Sequence, residues 1–272
     1  MFAGIAVALL SVMLVIAGFA SSQVSNDAKA HDPVGTASVP PAVINGGAVV
    51  DATRSPVTSR APAAKTIALT FDDGPDPTWT PQVLSILRKH QVPATFFVVG
   101  SMASRHPELL RRIHDSGSEI GLHTFTHPDL VDVSPWRMAR ELDETEMVLA
   151  GSTGLTTNLF RPPYSSSVSA VDDLGYRTVQ SAAARGYLSV FTDTDSDDWA
   201  RPGVAAILHN ATPPSDAGSI VLLHDAGGNR SETVAALDQL IRSCSSRVTA
   251  SPPSPPRSGW PRPTSPPPPG TG

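Results

Sequence analysis

Cysteine is almost absent from this chain of 272 residues, in which Cys244 is the single example. One thiol cannot form a disulfide within the chain, and it excludes the cysteine-rich zinc sites, which need several thiolates. Any metal ion that the chain binds must therefore be held by histidine, aspartate or glutamate.

Basic residues are also scarce. The chain has 20 lysines and arginines against 25 aspartates and glutamates, a formal net charge of -5, and no run rich in lysine or arginine. Proteins that bind nucleic acids neutralise phosphates with clustered cations. The composition therefore argues against a nucleic-acid partner.

Charged side chains are missing from the first 20 residues. Residues 1–20 are apolar or small, and this length is enough to cross the ~30 Å hydrocarbon core of a bilayer. They predict an export signal or a membrane anchor, with the rest of the chain outside the cytoplasm. No basic residue precedes the apolar run, as one usually does in a signal peptide, so cleavage and retention both stay open.

Periodic hydrophobic patterns are lacking at both ends of the remaining chain. Residues 21–64 are rich in Ser, Ala, Pro, Val and Gly, which predicts a flexible spacer. Residues 251–272 contain ten prolines, which can neither continue a helix nor donate to a sheet. We therefore predict a disordered tail over residues 244–272 and one folded domain over residues 65–243.

The central region alternates short apolar runs with amphipathic stretches. The apolar runs predict strands at residues 66–71, 94–99, 119–122, 158–160, 177–180, 188–191 and 219–223. The amphipathic stretches predict helices at residues 81–90, 107–115, 134–150, 167–174, 202–210 and 231–242. Serial strand–helix units predict an α/β fold with a parallel sheet, and about seven strands can curl into a barrel.

Polar clusters directly follow five of the predicted strands. They are Asp72-Asp73-Gly74-Pro75, His123 with His127, Arg161-Pro162-Pro163-Tyr164, Asp195-Ser196-Asp197-Asp198-Trp199, and His224-Asp225. Functional groups of parallel β/α folds lie at the carboxyl ends of the strands. We therefore expect the five clusters to share one rim of the sheet.

Two imidazoles and one carboxylate form a common catalytic zinc shell that leaves a position open. His123 and His127, with one residue of the pair Asp72 and Asp73, supply those groups. Two ordinary histidines and a turn-forming Asp pair would explain the same residues. However, adjacent carboxylates repel each other unless a cation relieves the conflict. One Asp would then bind the metal while the other accepts a proton from water that the metal activates.

Three further residues have chemistry suited to such a site. His224 ends an apolar run and could act as a general acid, unless it is a hydrogen-bonded core histidine. Arg161 could hold a carboxylate with its planar guanidinium, unless it is an ordinary surface arginine. Trp199 could stack on a sugar ring, unless it fills the core.

In order along the chain, five motifs resemble those of the polysaccharide deacetylase family, also called the NodB-homology or carbohydrate esterase family 4 domain. They are Thr70-Phe-Asp-Asp-Gly-Pro75, His123-Thr-Phe-Thr-His127, Arg161-Pro-Pro-Tyr164, Asp195-Ser-Asp-Asp-Trp199 and Leu222-Leu-His224. The resemblance covers residues 65–242 and implies a distorted, incomplete (β/α)7-type barrel, in agreement with the predicted strand count.

The resemblance also implies a role for each motif residue. Asp73, His123 and His127 would bind Zn²⁺, or a similar ion such as Co²⁺. Asp72 would be the general base and Arg161 would orient it. His224 would be the general acid, with Asp195 tuning its charge. On the substrate side, the resemblance implies an oxyanion contact from the backbone N–H of Tyr164, a sugar groove lined by Trp199, and a contribution from Pro163.

The implied function is metal-dependent hydrolysis of N-acetyl groups on a polysaccharide that contains N-acetylglucosamine. Two alternatives stay open, namely an O-acetyl esterase acting on xylan and a non-catalytic carbohydrate-binding scaffold tethered to the membrane. The second alternative has some support because family members usually continue into a further strand, whereas here the sequence after Cys244 turns into a proline-rich segment. Loop shape decides which polymer is bound, and the sequence does not specify it.

Overall fold

The computed structural model describes residues 38–165 and 167–247. The strands are β1 (Val49–Asp51), β2 (Thr58–Arg60), β3 (Ile67–Asp72), β4 (Thr95–Val98), β5 (Glu119–Leu122), β6 (Leu159–Phe160), β7 (Leu188–Val190), β8 (Thr194–Asp195) and β9 (Ser219–His224). The helices are α1 (Pro41–Asn45), α2 (Thr80–His90), α3 (Gly100–Arg105), α4 (Pro107–Asp115), α5 (Pro135–Thr153), α6 (Asp173–Ala183), α7 (Val204–Ala211) and α8 (Ser231–Ser243).

The nine strands form one sheet in the order β2-β1-β7-β6-β5-β4-β3-β9-β8. From β7 to β8 all neighbours pair in parallel. At the other edge β1 is antiparallel to β7, and β2 is antiparallel to β1. The sheet is curled but open, because β2 and β8 are its two edges. This architecture confirms the predicted α/β fold and incomplete barrel.

The central strand β3 sets the position of the site. All six of its side chains are buried, as expected for a parallel strand covered on both faces. Its register places Asp72 opposite Phe97 of β4 and His224 of β9. The carboxyl ends of these strands therefore meet at one rim, as the sequence predicts.

Alternate strand residues divide between two apolar cores. Ile67, Leu69 and Phe71 of β3 face the larger core, which helices α2 to α5, α7 and α8 cover. Ala68 of β3 and Phe97 of β4 face the smaller core, which α1, α6 and the antiparallel strand β1 line. This period of two keeps each strand between two hydrophobic layers.

The predicted spacer over residues 21–64 is wrong in its second half. Residues 41–60 form α1, β1 and β2, and Val43 and Val50 are fully buried in the smaller core. Sequence periodicity missed these elements because they are only three to five residues long. Strand β1 is completed by its pairing with β7, which lies far away in the sequence.

The predictions of a strand at residues 177–180 and of a helix at residues 167–174 are also wrong. A 3₁₀ turn occupies Val168–Ala170, and α6 then runs through the supposed strand. The Asp172 side chain caps α6 by accepting a hydrogen bond from the Gly175 N–H at 2.8 Å. The seventh parallel strand is instead β8, which has two residues and was not predicted.

The predicted tail begins too early at residue 244. Cys244 is buried in the larger core, and the Arg247 carbonyl accepts a hydrogen bond from the Ile67 N–H at 2.7 Å. Residues 244–247 therefore belong to the domain and contact the start of β3. The rest of the predicted tail and the predicted signal or anchor at residues 1–20 lie outside the described residues. Among the helices of the described ranges, none combines the length and the hydrophobicity that a membrane span requires.

The burial of β1 predicts that Val50→Ala destabilises the protein. Loss of two methyl groups from a fully buried position is expected to cost about 2 kcal/mol, which lowers the melting temperature by about 5 °C for a domain of this size. Thermal unfolding followed by circular dichroism measures the change. Thr58→Ala, on an exposed position of β2, is the matched control. Equal melting temperatures for the two variants would mean that β1 is not part of the folded core.

Candidate active site

The predicted clusters meet at the carboxyl ends of the parallel strands. Asp72 ends β3, His123 follows β5, Arg161 follows β6 and His224 ends β9. Inter-strand bonds tie these ends together, because the His123 N–H donates to Val98 O and the Arg161 N–H donates to Leu122 O, both at 2.9 Å. The rim thus brings together side chains that are distant in the sequence.

Asp72 and Asp73 point in different directions because the backbone turns between them. Asp72 has strand geometry, whereas Asp73 has a left-handed φ of 75°. Aspartate tolerates this conformation better than most residues do. Asp72 therefore faces Arg161, while Asp73 faces the two predicted metal-binding histidines.

Asp73, His123 and His127 offer one ligand atom each within 4.8 Å of one another. Asp73 Oδ1 lies 3.1 Å from His127 Nε2 and 3.7 Å from His123 Nε2. His123 Nδ1 lies 2.8 Å from the Arg161 carbonyl oxygen and can only donate to it. The neutral His123 ring therefore carries its lone pair on Nε2, facing the carboxylate.

The three residues fit a divalent cation. Asp73 Oδ1 is buried and has no hydrogen-bond partner among the described residues, because the short His127 contact lacks hydrogen-bond geometry. Burial raises the pKa of Asp73, but contact with His127 and the charges of nearby histidines outweigh it and hold this pKa well below its usual range. Burial lowers the pKa of His123 and so favours the neutral ring that a metal requires.

Arg161 is buried against Asp72 and is not a surface residue, with an exposed fraction of 1%. Its Nη1 donates to Asp72 Oδ1 at 2.7 Å and to Thr70 Oγ1 at 2.9 Å, and its Nε donates to the Val190 carbonyl at 3.0 Å. The guanidinium carbon also lies 4.1 Å from the centre of the Phe97 ring. These contacts fix the guanidinium, which in turn orients Asp72.

Asp72 lies close to the metal-binding histidines through its second oxygen. Asp72 Oδ2 is 3.7 Å from His123 Nε2, while Oδ1 is held by Arg161. One oxygen is thus positioned by the guanidinium and the other faces the triad. A carboxylate in this place can accept a proton from a group bound beside the triad.

His224 is paired with Asp198 and not with Asp195, which the family resemblance implied would tune the charge of His224. His224 Nδ1 lies 2.6 Å from Asp198 Oδ1, and Asp198 Oδ2 accepts from the His224 N–H at 2.9 Å and from Thr233 Oγ1 at 2.7 Å. The Asp195 carboxylate instead accepts from the Asp197 N–H at 2.9 Å. The charge of His224 lowers the pKa of Asp195, but burial and neighbouring aspartates raise it overall.

The Asp198 contact sets the charge of both partners. Burial lowers the pKa of His224, but the hydrogen bond and charge of Asp198, with the charges of Asp72 and Asp73, raise it overall. Burial raises the pKa of Asp198, but the hydrogen bond and charge of His224 and the Thr233 hydroxyl lower it overall. The pair therefore favours a protonated imidazole whose free Nε2–H is available to donate.

Tyr164 and Trp199 are exposed and so are not core residues, with exposed fractions of 71% and 58%. Tyr164 has a left-handed φ of 60°, and its hydroxyl oxygen lies 3.2 Å from His127 Nδ1. Trp199 belongs to the 3₁₀ turn that also carries Asp198. Pro163, which precedes Tyr164 in the chain, is buried.

Comparison with known proteins identifies the family. The model of the family described as polysaccharide deacetylase matches residues 59–179. A peptidoglycan-N-acetylglucosamine deacetylase of Bacillus cereus is 38% identical over 179 residues, which cover 65% of this chain and 80% of that relative. The chain belongs to the polysaccharide deacetylase family.

Two further comparisons agree with membership of the polysaccharide deacetylase family. A chitooligosaccharide deacetylase of Sinorhizobium fredii is 37% identical over 189 residues, covering 65% of this chain and 85% of the relative. A solved peptidoglycan N-acetylglucosamine deacetylase superposes with a TM-score of 0.63 at 31% identity, covering 70% of this chain and 88% of that chain. The family resemblance seen in the five motifs is thus confirmed.

Within this deacetylase site, several buried polar residues were missed by sequence reasoning. Arg230 is buried and donates to the carbonyls of Ala226, Gly227 and Asp198, so it links the segment after β9 to the 3₁₀ turn. Asp225 is fully buried and accepts from Thr80 Oγ1. Burial, together with the charges of Asp73 and Asp72, raises the pKa of Asp225 to about 7 despite the Thr80 hydrogen bond. Asp198 and Asp225 belong to the polar clusters that follow the predicted strands, but the spacing of residues in the sequence does not reveal their partners.

The pairing of His224 with Asp198 predicts that Asp198→Asn lowers the pKa of His224, because it removes the adjacent charge while keeping a similar shape. Protonated His224 stabilises the wild-type fold fully below its unfolded pKa of about 6.5, and this contribution is lost as pH rises through the higher folded pKa. The Asn variant should lack most of this pH dependence. Titration of the His224 ring by NMR in metal-free protein measures the shift.

Asp195→Asn is the control for this titration, since it leaves the direct partner of His224 in place. We expect its effect on the His224 pKa to be smaller than that of Asp198→Asn. A larger shift in Asp195→Asn would restore Asp195 as the residue that tunes His224.

Proposed function

We propose that this chain hydrolyses N-acetyl groups of a polysaccharide that contains N-acetylglucosamine, and that it releases acetate. One observation carries the proposal, namely that a carboxylate fixed by a buried arginine lies beside an Asp-His-His triad. Asp72 supplies the carboxylate, Arg161 fixes it, and Asp73 belongs to the triad. Hydrolysis of an unreactive amide needs a base for water, a Lewis acid for the carbonyl and an acid for the leaving amine.

We propose Zn²⁺, or Co²⁺ in its place, as the ion held by Asp73, His123 and His127. Two neutral imidazoles and one carboxylate are a donor set that suits zinc at catalytic sites. A divalent ion bound there would polarise the acetyl carbonyl and acidify a nearby water. The remaining chemistry belongs to side chains and backbone groups of the chain.

Asp72 is the proposed general base. Arg161 occupies one carboxylate oxygen, so the other is free to accept a proton from the attacking water. The oxygen of that water then forms a bond to the acetyl carbon. The backbone N–H of Tyr164 is the proposed donor to the carbonyl oxygen as negative charge develops on it.

His224 is the proposed general acid. Asp198 occupies Nδ1 and favours the protonated ring, so Nε2–H is the proton that can be donated. When the C–N bond breaks, this proton goes to the departing sugar amine, and the acyl carbon leaves as acetate. Asp198 thus holds His224 in the state and orientation that the step requires.

The proposed substrate class rests on the named relatives and on the exposed aromatics. Two relatives are named for peptidoglycan N-acetylglucosamine and for chitooligosaccharide, which share an N-acetylated glucosamine. Tyr164 and Trp199 expose ring faces on which a sugar can stack. Because residues 1–20 have the composition of an export or anchor segment, we propose that the domain acts outside the cytoplasm.

The proposal predicts release of acetate by the purified full chain from chitin oligomers or peptidoglycan. A chelator should abolish this release, and added Zn²⁺ or Co²⁺ should restore it. Acetylated xylan serves as a parallel substrate, because its O-acetyl esters present the same acyl carbon. Release from xylan alone would favour an O-acetyl esterase, and binding of oligosaccharide without any release would favour a scaffold.

The proposed base predicts that Asp72→Asn lowers kcat by about 100- to 10,000-fold, because the amide cannot accept the proton from water. Affinity for Zn²⁺ should be retained, since the amide leaves the three ligands in place. Asp132→Asn, at an exposed position, is the matched control and should keep full activity. Undiminished acetate release by Asp72→Asn would exclude Asp72 as the base.

A further inference from the structure

The loop that carries both histidines, residues 123–127, has an unfavourable backbone. Thr124 has a φ of 66° and His127 a φ of 59°, both in the left-handed region. A β-branched residue such as threonine rarely adopts this conformation. Such a loop keeps its shape only if its surroundings determine it.

Glu141 of α5 accepts hydrogen bonds from two N–H groups of this loop, those of Phe125 and Thr126. It is buried, with an exposed fraction of 5%. Its Oε2 accepts from the Phe125 N–H at 2.9 Å and from the Thr126 N–H at 2.7 Å, and its Oε1 accepts from Thr126 Oγ1 at 2.7 Å. Hydrogen bonds to a carboxylate are about twice as strong as neutral ones.

The carbonyl groups of the same loop are held from another direction. The Gly100 N–H donates to Thr124 O and the Ser101 N–H donates to Phe125 O, both at 2.9 Å. Within the loop, the His127 N–H donates to Thr124 Oγ1 at 3.0 Å. Helix α3 thus holds the carbonyls of Thr124 and Phe125 while Glu141 holds the N–H groups of Phe125 and Thr126, so the two central peptides of the loop are fixed on both sides.

We propose that Glu141 is a positioning residue for the metal centre. It contacts neither imidazole, but it fixes the turn that sets the separation of the His123 and His127 rings. A loop that is already ordered before the ion arrives loses less conformational entropy on binding. Removal of the carboxylate therefore weakens metal binding although all three ligands remain.

This inference rests on the proposed function in taking Asp73, His123 and His127 as the metal ligands. Partners that orient metal ligands typically change metal affinity by about 10- to 100-fold when removed. The expected loss for Glu141→Ala lies in that range. A role of Glu141 in general stability alone would lower the melting temperature without changing the affinity of the folded protein.

Two further variants test whether the hydrogen bonds from the loop to Glu141 are responsible for this loss of metal affinity. In Glu141→Gln the amide oxygen can still accept from the Phe125 and Thr126 N–H groups, and the amide N–H₂ can donate to the Thr126 hydroxyl, so affinity should return to within about 3-fold of wild type. Glu144→Ala removes a half-buried carboxylate on the same helix that pairs with Arg140. It is the matched control and should leave the affinity unchanged.

The test measures the affinity of the full chain for Zn²⁺ after a chelator has removed bound metal. Competition with a chromophoric chelator gives this affinity. The temperature is chosen so that circular dichroism shows each variant to be folded. Weaker binding by Glu141→Ala, with near wild-type binding by Glu141→Gln and Glu144→Ala, supports the proposal. Wild-type affinity in folded Glu141→Ala overturns it. If Glu141→Ala does not fold, Glu141→Asp replaces it, because the shorter side chain cannot reach both N–H groups, and the same criteria apply.

This readout is separate from catalysis. If wild type and variants bind Zn²⁺ in the expected order but no substrate releases acetate, the proposed function fails and the role of Glu141 stands. If the wild-type chain binds no Zn²⁺, the role of Glu141 is overturned directly.

Discussion

Two neighbouring carboxylates at the end of β3 must be held close together and yet in different environments. Asp72 and Asp73 would repel each other if both were buried and ionised without partners. The left-handed backbone at Asp73 directs the two side chains apart. Arg161 then meets Asp72, and two imidazoles meet Asp73. The rest of the site depends on this separation, because a base and a metal ligand must be different groups.

The free-energy cost of burying these charges is offset by ion pairing and by contacts with residues of the sheet. Arg161 is itself buried, and it is stabilised by the Asp72 carboxylate, the carbonyl of Val190 and the face of Phe97. A charged group that deep would be strongly unfavourable without such partners. Strand β1 has an indirect role here, since it pairs with β7, which carries Val190. The N-terminal strands therefore help to support the environment of the guanidinium.

Much of this organisation could be predicted from the sequence, because parallel strands bring their carboxyl ends to one rim whatever the details of the helices. That rule placed Asp72, His123, Arg161 and His224 together correctly. It could not decide which aspartate faces His224, since that depends on the 3₁₀ turn at Asp198–Ala200, which starts after a left-handed Asp197. Short elements such as β1 and β8 also have too few residues for a periodic pattern. The contact of Glu141 with residues 125 and 126 is tertiary and leaves no signature in spacing.

In the active protein, Asp73, His123 and His127 are proposed to converge on one cation while Asp72 stays with Arg161. Anomalous X-ray diffraction at the zinc edge, from crystals of the zinc-loaded protein, locates the cation and so tests this arrangement. We expect one strong peak about 2.0–2.2 Å from Nε2 of both histidines and from a carboxylate oxygen of Asp73, with Asp72 still bound to Arg161. A peak coordinated by Asp72 instead of Asp73, or no peak between the two imidazoles, would contradict it.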